Sequence, residues 1–175
     1  YVDYFVIVES SFTHKGDKRN LRFNHQKFKK FKDKLIYITY DEEPAEIIKN
    51  KVNAEDDEAT KSFKYIENAI LRENGQRNQI LKGLELAKDD DMILISDVDE
   101  IPNLENLDLS KIREKIILFN QDMFYYKFNL KLPNLDWTGT KGCRKKFLKS
   151  PQWLRNVKDR KYPFYRFDTF FSQTK

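Results

Sequence analysis

Two aspartates, two residues apart, follow a short and continuously apolar segment of the chain. Residues 92–95 read Met-Ile-Leu-Ile, and Asp97, Asp99 and Glu100 come directly after them. In an extended chain residues i and i+2 point to the same side, so Asp97 and Asp99 are expected to direct their carboxylates at one point. Carboxylates that lie so close repel each other unless a cation sits among them. The spacing therefore predicts a site for Mg²⁺ or Mn²⁺, which would in turn hold the phosphates of a substrate.

Two enzyme classes use paired aspartates in this way. Nucleotide-sugar transferases hold a metal on a diphosphate, whereas aspartyl-phosphate phosphatases use the first aspartate as a nucleophile and the second as an acid. The phosphatase motif usually lies near the start of its domain. Here two predicted strands and a long helical region precede it, which favours the transferase. A metal-dependent phosphatase or nuclease stays an alternative.

A second polar cluster lies at residues 73–78, which read Glu-Asn-Gly-Gln-Arg-Asn. Arg77 can bind a phosphate or a carboxylate through two parallel hydrogen bonds. We predict a helix start here, and the amides at a helix start also attract anions. The cluster is therefore a candidate phosphate contact, and a capped helix with a surface ion pair is the structural alternative.

Basic residues are concentrated in a segment near the C-terminal end of the sequence. Residues 141–161 contain nine Lys or Arg and one Asp, although the whole chain carries a net charge of only +5. With Phe147 and Trp153 among the cations, the segment suggests a second class of function, a nucleic-acid or polyanion-binding module. That hypothesis ranks lower, because it leaves Asp97 and Asp99 without a role.

The elements that must position these residues are short and mostly apolar. Strands are predicted at residues 4–8, 35–40, 92–95, 116–119 and 123–132. Helices are predicted at residues 24–33, at 61–88 with a break near Asn74-Gly75, and around Trp153. Strands that alternate with helices predict an α/β fold with a mostly parallel central sheet flanked by helices. The paired aspartates would then lie at the carboxyl edge of that sheet, where open α/β folds bind ligands.

Length and composition limit the alternatives. The chain has 175 residues, 39% of them hydrophobic, five Gly, five Pro and a single cysteine, Cys143. These values exclude a disordered or collagen-like chain and an internal disulfide. No apolar run approaches the roughly 20 residues that a membrane helix needs, so no membrane segment is expected in this stretch.

Three blocks together resemble glycosyltransferase family 17, whose best-known members are β-1,4-mannosyl-glycoprotein β-1,4-N-acetylglucosaminyltransferases. The blocks are residues 2–10 (VDYFVIVES), 73–78 (ENGQRN) and 95–102 (ISDVDEIP). Their order and spacing fit the family over about residues 1–140. The resemblance implies a GT-A-like nucleotide-sugar-binding fold, a UDP-sugar donor that is expected to be UDP-N-acetylglucosamine, a glycan acceptor, and inversion at the anomeric carbon.

The resemblance also implies roles for individual residues. Asp99 would bind the Mn²⁺ or Mg²⁺ ion, and Asp97 would bind the metal or the donor's ribose. Glu9 and Ser10, at the end of the first predicted strand, would lie near the nucleoside. Arg77 would lie near the diphosphate or would brace Asp97.

Transfer with inversion also needs a base for the acceptor hydroxyl. Asp136 is the candidate, because it stands beside Trp137, whose ring suits stacking on a sugar. Lys141, Arg144 and Lys145 are candidates for a flexible lid over the diphosphate.

We expect residues 1–175 to form a single catalytic domain of this GT-A-like type, with a less regular basic segment at 141–175. Because the sequence begins at Tyr1 inside an apolar run, we expect a fragment that lacks its N-terminal start. The resemblance implies a Gly-Trp-His segment further on that this sequence does not contain, so we expect that a C-terminal part is missing too. The lone cysteine and the Lys-, Asn- and Phe-rich composition favour the cytoplasm of a bacterium or a virus-encoded protein. The Golgi lumen is the alternative for a eukaryotic source.

Overall fold

A computed structural model describes residues 2–127, 129–133, 135, 137–160 and 172–174. The chain divides into two compact units, Val2–Leu86 and Ala87–Lys175. No helix within the described ranges is long and apolar enough to cross a membrane. The expectation of a single catalytic domain stays a prediction, and each unit is described by itself.

The first unit is built on a parallel pair of strands. Strand β1, Phe5–Ser10, pairs with strand β2, Leu35–Tyr40, so that Ser10 lies opposite Tyr40 at the carboxyl ends. Both strands are rich in β-branched and aromatic side chains, which favour extended backbone. The prediction of two strands here is confirmed, and their parallel pairing agrees with the predicted parallel sheet in this unit. Between them, the predicted helix at residues 24–33 is present as a 3₁₀ helix, His25–Lys34.

The helices of this unit follow β2. Helix α1 covers Ala45–Lys49, helix α2 covers Glu58–Asn78, and a 3₁₀ turn at Gln79–Gly83 follows. The predicted break near Gly75 is wrong, because α2 continues to Asn78. Gly75 serves close packing instead: a Cβ there would lie 2.6 Å from the Tyr40 hydroxyl. Residues 73–78 therefore end a helix, and the prediction that they start one is also wrong.

The second unit contains a four-stranded sheet in the order β3-β5-β4-β6. These strands are β3 at Met92–Ile95, β4 at Ile116–Gln121, β5 at Trp137–Arg144 and β6 at Ser172–Thr174. Strand β5 runs antiparallel to β3 and β4, whereas β6 runs parallel to β4. The prediction of a mostly parallel sheet is therefore wrong for this unit. The overall α/β class is confirmed.

Two strand predictions in the second unit need correction. The predicted strand at residues 123–132 is reduced to one isolated bridge between Phe124 and Lys131. Strand β5 lies where the sequence pattern loosens into the basic segment. Its Gly139, Lys141 and Gly142 have low strand propensity, and burial in the middle of the sheet outweighs that preference.

The core of the second unit lies around β4. Residues Ile116, Ile117, Leu118 and Phe119 are at most 4% exposed. Ile117 and Phe119 form a cluster with Ile112, against which further apolar side chains pack: Met92, Leu94, Leu104, Leu107 and Leu109. Cys143, on β5, is also fully buried. Burial raises the pKa of its thiol to about 12, so Cys143 is not a nucleophile.

A short helix, α3, covers Pro151–Asn156 and confirms the prediction around Trp153. The Ser150 hydroxyl caps it by accepting a hydrogen bond from the Trp153 amide at 3.0 Å. Pro151 and Leu154 are buried and fasten the helix to its unit. This short helix carries Arg155 to the end of β3.

Candidate functional site

The paired aspartates lie in a tight turn directly after β3. The Glu100 amide donates to the Asp97 carbonyl at 3.1 Å, and the Asp97 amide donates to the Glu100 carboxylate at 2.9 Å. The backbone at Asp97 and Asp99 is therefore turned, not extended. The argument that spacing i and i+2 aims both carboxylates at one point does not apply to this geometry.

Arg155 binds both ends of the turn. Its Nη2 lies 2.8 Å from Asp97 Oδ2 and 2.9 Å from Glu100 Oε1, while its Nη1 lies 2.8 Å from Glu100 Oε2. The pair with Glu100 is bidentate, the strongest geometry for an arginine and a carboxylate. The Glu100 side chain is 7% exposed and that of Arg155 is 11% exposed, whereas that of Asp97 is 40% exposed. Sequence reasoning missed Arg155 because it lies far along the chain in a segment assigned to the basic surface.

Asp99 has a different environment from its neighbours. It is exposed and makes no hydrogen bond or ion pair with any residue that the structure describes. In the described part of the chain no group of three or more His, Cys, Asp or Glu side chains is arranged to hold a metal. The turn therefore offers an open carboxylate, Asp99, beside a half-exposed one, Asp97, that is already hydrogen-bonded to Arg155.

Residues of strand β5 contact the turn and the residue that precedes it. The Thr140 hydroxyl lies 2.7 Å from the Ser96 hydroxyl, and the Thr140 amide donates to the Gln121 side chain at 2.7 Å. At Gly139 a Cβ would lie 3.0 Å from the carboxyl carbon of Glu100. The same Cβ would clash with Gln121 Oε1, which accepts the hydrogen bond from the Thr140 amide, so a glycine leaves room for both side chains.

In the first unit, Glu9 and Ser10 serve the structure of the strand end. The Glu9 carboxylate accepts hydrogen bonds from the amides of Arg22 at 2.7 Å and Phe23 at 2.9 Å, and from the Tyr37 hydroxyl at 2.9 Å. Burial acts to raise the pKa of Glu9, but these three donors outweigh it and hold the pKa below its usual value. Burial and the Glu9 contact raise the pKa of Tyr37 to about 12.

Ser10 is 4% exposed, and its hydroxyl accepts from the Phe12 amide at 3.1 Å. Its carbonyl accepts from Arg19 Nε at 2.9 Å. Both groups of Ser10 thus shape the loop that follows β1. The expectation that Ser10 itself lies near a nucleoside stays untested.

An open cleft of about 590 Å³ lies at the carboxyl ends of β1 and β2. Its lining is polar and charged: Ser11, Lys18, Arg19, Asn20 and Asp41. Ser11 and Asp41 directly follow the two strands, which is where ligands bind in open parallel sheets. That rule could have identified these two residues from the sequence, whereas the three loop residues carry no comparable signal.

The block at residues 73–78 attaches α2 to the strand pair. Gln76 donates its side-chain amide to the Val8 carbonyl at 3.1 Å, and Gly75 allows the close approach to Tyr40. Arg77 pairs with Glu73, one turn earlier, at 2.7 Å. The roles suggested for Arg77, at a diphosphate or as a brace for Asp97, stay predictions.

The first three cations of the basic segment are bound to backbone carbonyls. Arg144 donates to the carbonyls of Asp90 and Ile112, Lys145 donates to the carbonyl of Ala87, and Lys141 donates to that of Arg155. Such fixed side chains do not form a flexible lid, so that expectation is wrong for Lys141, Arg144 and Lys145. The same contacts weaken the polyanion-binding alternative, because these cations are engaged within the protein.

The candidate base Asp136 lies outside the described residues. Its neighbour Trp137 begins β5 and is 42% exposed. An exposed indole at a strand start is compatible with stacking on a sugar ring.

Comparison with known proteins adds one finding. The model of glycosyltransferase family 17 matches residues 1–152, well over half of the chain. The chain belongs to glycosyltransferase family 17. It is therefore a transferase that takes a glycosyl group from a sugar donor to an acceptor, and the resemblance carried by the three sequence blocks is confirmed.

The family 17 match includes the turn at residues 97–100, the cleft and the block at residues 73–78, and it ends before Arg155. No curated protein and no solved structure matches the chain. The family match alone does not identify the donor, the acceptor or the metal of this family 17 member.

Proposed function

We propose that this family 17 chain transfers N-acetylglucosamine from UDP-N-acetylglucosamine to a glycan acceptor with inversion, on a GT-A-like fold. In this proposal, Mn²⁺ or Mg²⁺ is held at Asp97 and Asp99. The observation that carries the proposal is the exposed carboxylate of Asp99, which has no partner among the residues that the structure describes and lies in a turn at the end of a buried strand.

The carboxylates of the turn fit a metal of one particular kind. A cage of three or more protein carboxylates does not fit, because Arg155 already binds Glu100 and one oxygen of Asp97. Mg²⁺ commonly uses one or two carboxylates and takes its other ligands from water and substrate phosphates. Asp99 would be the main protein ligand and Asp97 the second. The cation would stabilise the negative charge of the departing diphosphate.

Considered by itself, the cleft of the first unit has a lining that fits a nucleotide. Asn20 and Asp41 offer the amide and carboxylate groups that recognise a base and a ribose, and Ser11 adds a hydroxyl. Lys18 and Arg19 supply positive charge for an anionic ligand. Glu9 and Ser10 would act indirectly, by holding the loops that form the walls.

For the proton transfer we retain Asp136 as the proposed base. Its carboxylate would take the proton of the acceptor hydroxyl as that oxygen attacks the anomeric carbon. The variant Asp136→Asn should lower kcat by about 10²–10⁴-fold, the usual contribution of a general base. Binding of UDP should stay unchanged, and an Asp136→Asn variant with unchanged kcat would remove Asp136 from the mechanism.

The proposal is tested by thermal unfolding in UDP with Mn²⁺ or with EDTA. A ligand at 100 times its Kd stabilises the folded protein by about 2.7 kcal/mol, so binding is visible as a higher Tm. We expect UDP to raise the Tm of the wild type far more with Mn²⁺ than with EDTA, and the variant Asp99→Asn to lose that difference.

Asp33→Asn is the matched control, because Asp33 is an exposed aspartate without a hydrogen bond or ion pair among the described residues. It should respond to UDP and Mn²⁺ as the wild type does. An unchanged Mn²⁺ effect in Asp99→Asn would contradict the metal assignment.

A cytoplasmic location, with the Golgi as the alternative, stays a prediction.

A further inference from the structure

We propose that Arg155 is a positioning residue that fixes the turn at residues 97–100, so that Asp97 and Asp99 bind the metal in one defined geometry. This inference rests on the proposed function. It adds a residue that lies beyond the part of the chain matched by the family. Arg155 would act through the two aspartates and would not touch the substrate.

The backbone of Arg155 is held in place from two sides. Helix α3 is capped by Ser150 and packs through Leu154, which is fully buried. The Arg155 carbonyl also accepts a hydrogen bond from the ammonium group of Lys141, a buried residue in the middle of β5. The guanidinium group therefore extends from a fixed point.

Both terminal nitrogens of the guanidinium group donate two hydrogen bonds each. Nη1 binds Glu100 Oε2 and the Gly139 carbonyl, while Nη2 binds Glu100 Oε1 and Asp97 Oδ2. These four bonds join β5 to both ends of the turn. A lysine keeps the charge but presents a single nitrogen, so it cannot reproduce this arrangement.

Glu100 transmits the constraint to the backbone of the turn. Its Oε2 binds Arg155 Nη1 and also accepts from the Asp97 amide at 2.9 Å. Asp99 stands between Asp97 and Glu100 in sequence, and both of these are bound to Arg155. The exposed carboxylate thus projects from a short segment that is held at both ends.

Because Arg155 is charged, loss of its charge and loss of its positioning contacts should change the affinity for Mn²⁺ in opposite directions. A positive group beside Asp97 weakens the attraction of a cation, so removal of the charge alone would raise the affinity for Mn²⁺. Loss of a positioning contact lowers metal affinity instead. Residues that orient metal ligands typically contribute about 10–100-fold to affinity.

The experiment measures the affinity of the full chain for Mn²⁺ in the presence of UDP, by the electron paramagnetic resonance signal of unbound Mn²⁺. The variants are Arg155→Gln, which removes the charge, and Arg155→Lys, which keeps it. We expect both to bind Mn²⁺ about 10–100-fold more weakly than the wild type. Arg144→Lys is the control, since Arg144 also binds backbone carbonyls but does not contact the turn; it should bind Mn²⁺ as the wild type does.

The outcomes separate the two proposals. A wild type that binds no Mn²⁺ in the presence of UDP would overturn the proposed metal site, and this inference with it. A wild type that binds Mn²⁺ while Arg155→Gln binds it equally or more tightly would overturn the inference alone. Should Arg155→Gln not fold by circular dichroism, Arg155→Lys decides, and the failure of both to fold would assign Arg155 to stability and overturn the positioning role.

Discussion

In each unit a glutamate at or just after the end of a strand is fully hydrogen-bonded, but the hydrogen-bond donors differ between the two units. At the end of β1, Glu9 is saturated by two backbone amides and a tyrosine hydroxyl. After β3, Glu100 is saturated by Arg155 and the amide of Asp97. In both units one acid serves the fold, and other polar residues near the strand ends stay accessible to solvent: the half-buried Ser11 and the exposed Asp41 in the first unit, and the exposed Asp99 in the second.

The difference lies in the charge of the donors. Glu9 is held by neutral groups, so its loss leaves no buried charge behind. Glu100 neutralises an arginine whose side chain is only 11% exposed. The two acids should therefore differ strongly in what their removal costs, and neither should behave like the exposed Asp99.

The largest effect is expected for Glu100→Ala. This change leaves Arg155 buried without its bidentate partner, which should lower the free energy of unfolding by about 3–5 kcal/mol. Urea denaturation measures it. Glu105→Ala is the control, because Glu105 is exposed on the same unit, and it should change stability by less than about 0.5 kcal/mol. Equal stability of the two variants would contradict the assignment of Glu100 as a structural acid.

The next effect is expected for Gly139→Ala, whose methyl group would clash with Gln121 Oε1, the acceptor of the Thr140 amide, and press against the Glu100 carboxylate. Overpacking of this kind should cost about 1–3 kcal/mol, and we expect a weaker Mn²⁺-dependent binding of UDP. Gly142→Ala, on the same strand, meets the movable end of the Leu94 side chain instead. It should cost less and leave the binding unchanged, and a reversed order of the two variants would contradict the account.

A smaller and pH-dependent effect is expected for Glu9→Gln. Because folding lowers the pKa of Glu9, its carboxylate stabilises the protein above its ordinary value of 4.5, and that contribution is lost as the pH falls towards the lowered value. The wild type should exceed Glu9→Gln by about 1–2 kcal/mol at pH 7, the scale of lost hydrogen bonds to a charged group. Urea denaturation at pH 7 and pH 3 checks this, and a difference that grows at pH 3 would contradict it.

The smallest effect on stability is expected for Asp99→Asn. Since Asp99 is exposed and unpaired among the described residues, its free energy of unfolding should stay within about 0.5 kcal/mol of the wild type. Urea denaturation without metal measures this value. A loss of several kcal/mol would show that Asp99, like Glu100, serves the fold.

Much of the local structure could be predicted from the sequence because its signals are local. The apolar runs gave β1, β2, β3 and β4 in the right places, since burial on a sheet selects such runs. The short helix α3 likewise follows Ser-Pro, a capping residue and a proline at the first helical position.

The sheet order and the partner of Asp97 could not be predicted, because both depend on distant contacts. Strand β5 contains two glycines and a buried lysine, and only its place between β3 and β4 makes it a strand. Arg155 follows Asp97 by 58 residues. The acidic pattern made Asp97 and Asp99 candidates, but it contained nothing about which of them would be paired with an arginine.

The central claim is that Asp99 is the open metal ligand of a UDP-sugar transferase. Isothermal titration calorimetry with UDP-N-acetylglucosamine tests it most directly, on the wild type and on Asp99→Asn, each with Mn²⁺ and with EDTA. The account predicts tight binding only for the wild type with Mn²⁺. Binding of equal strength in EDTA, or in Asp99→Asn with Mn²⁺, would contradict it.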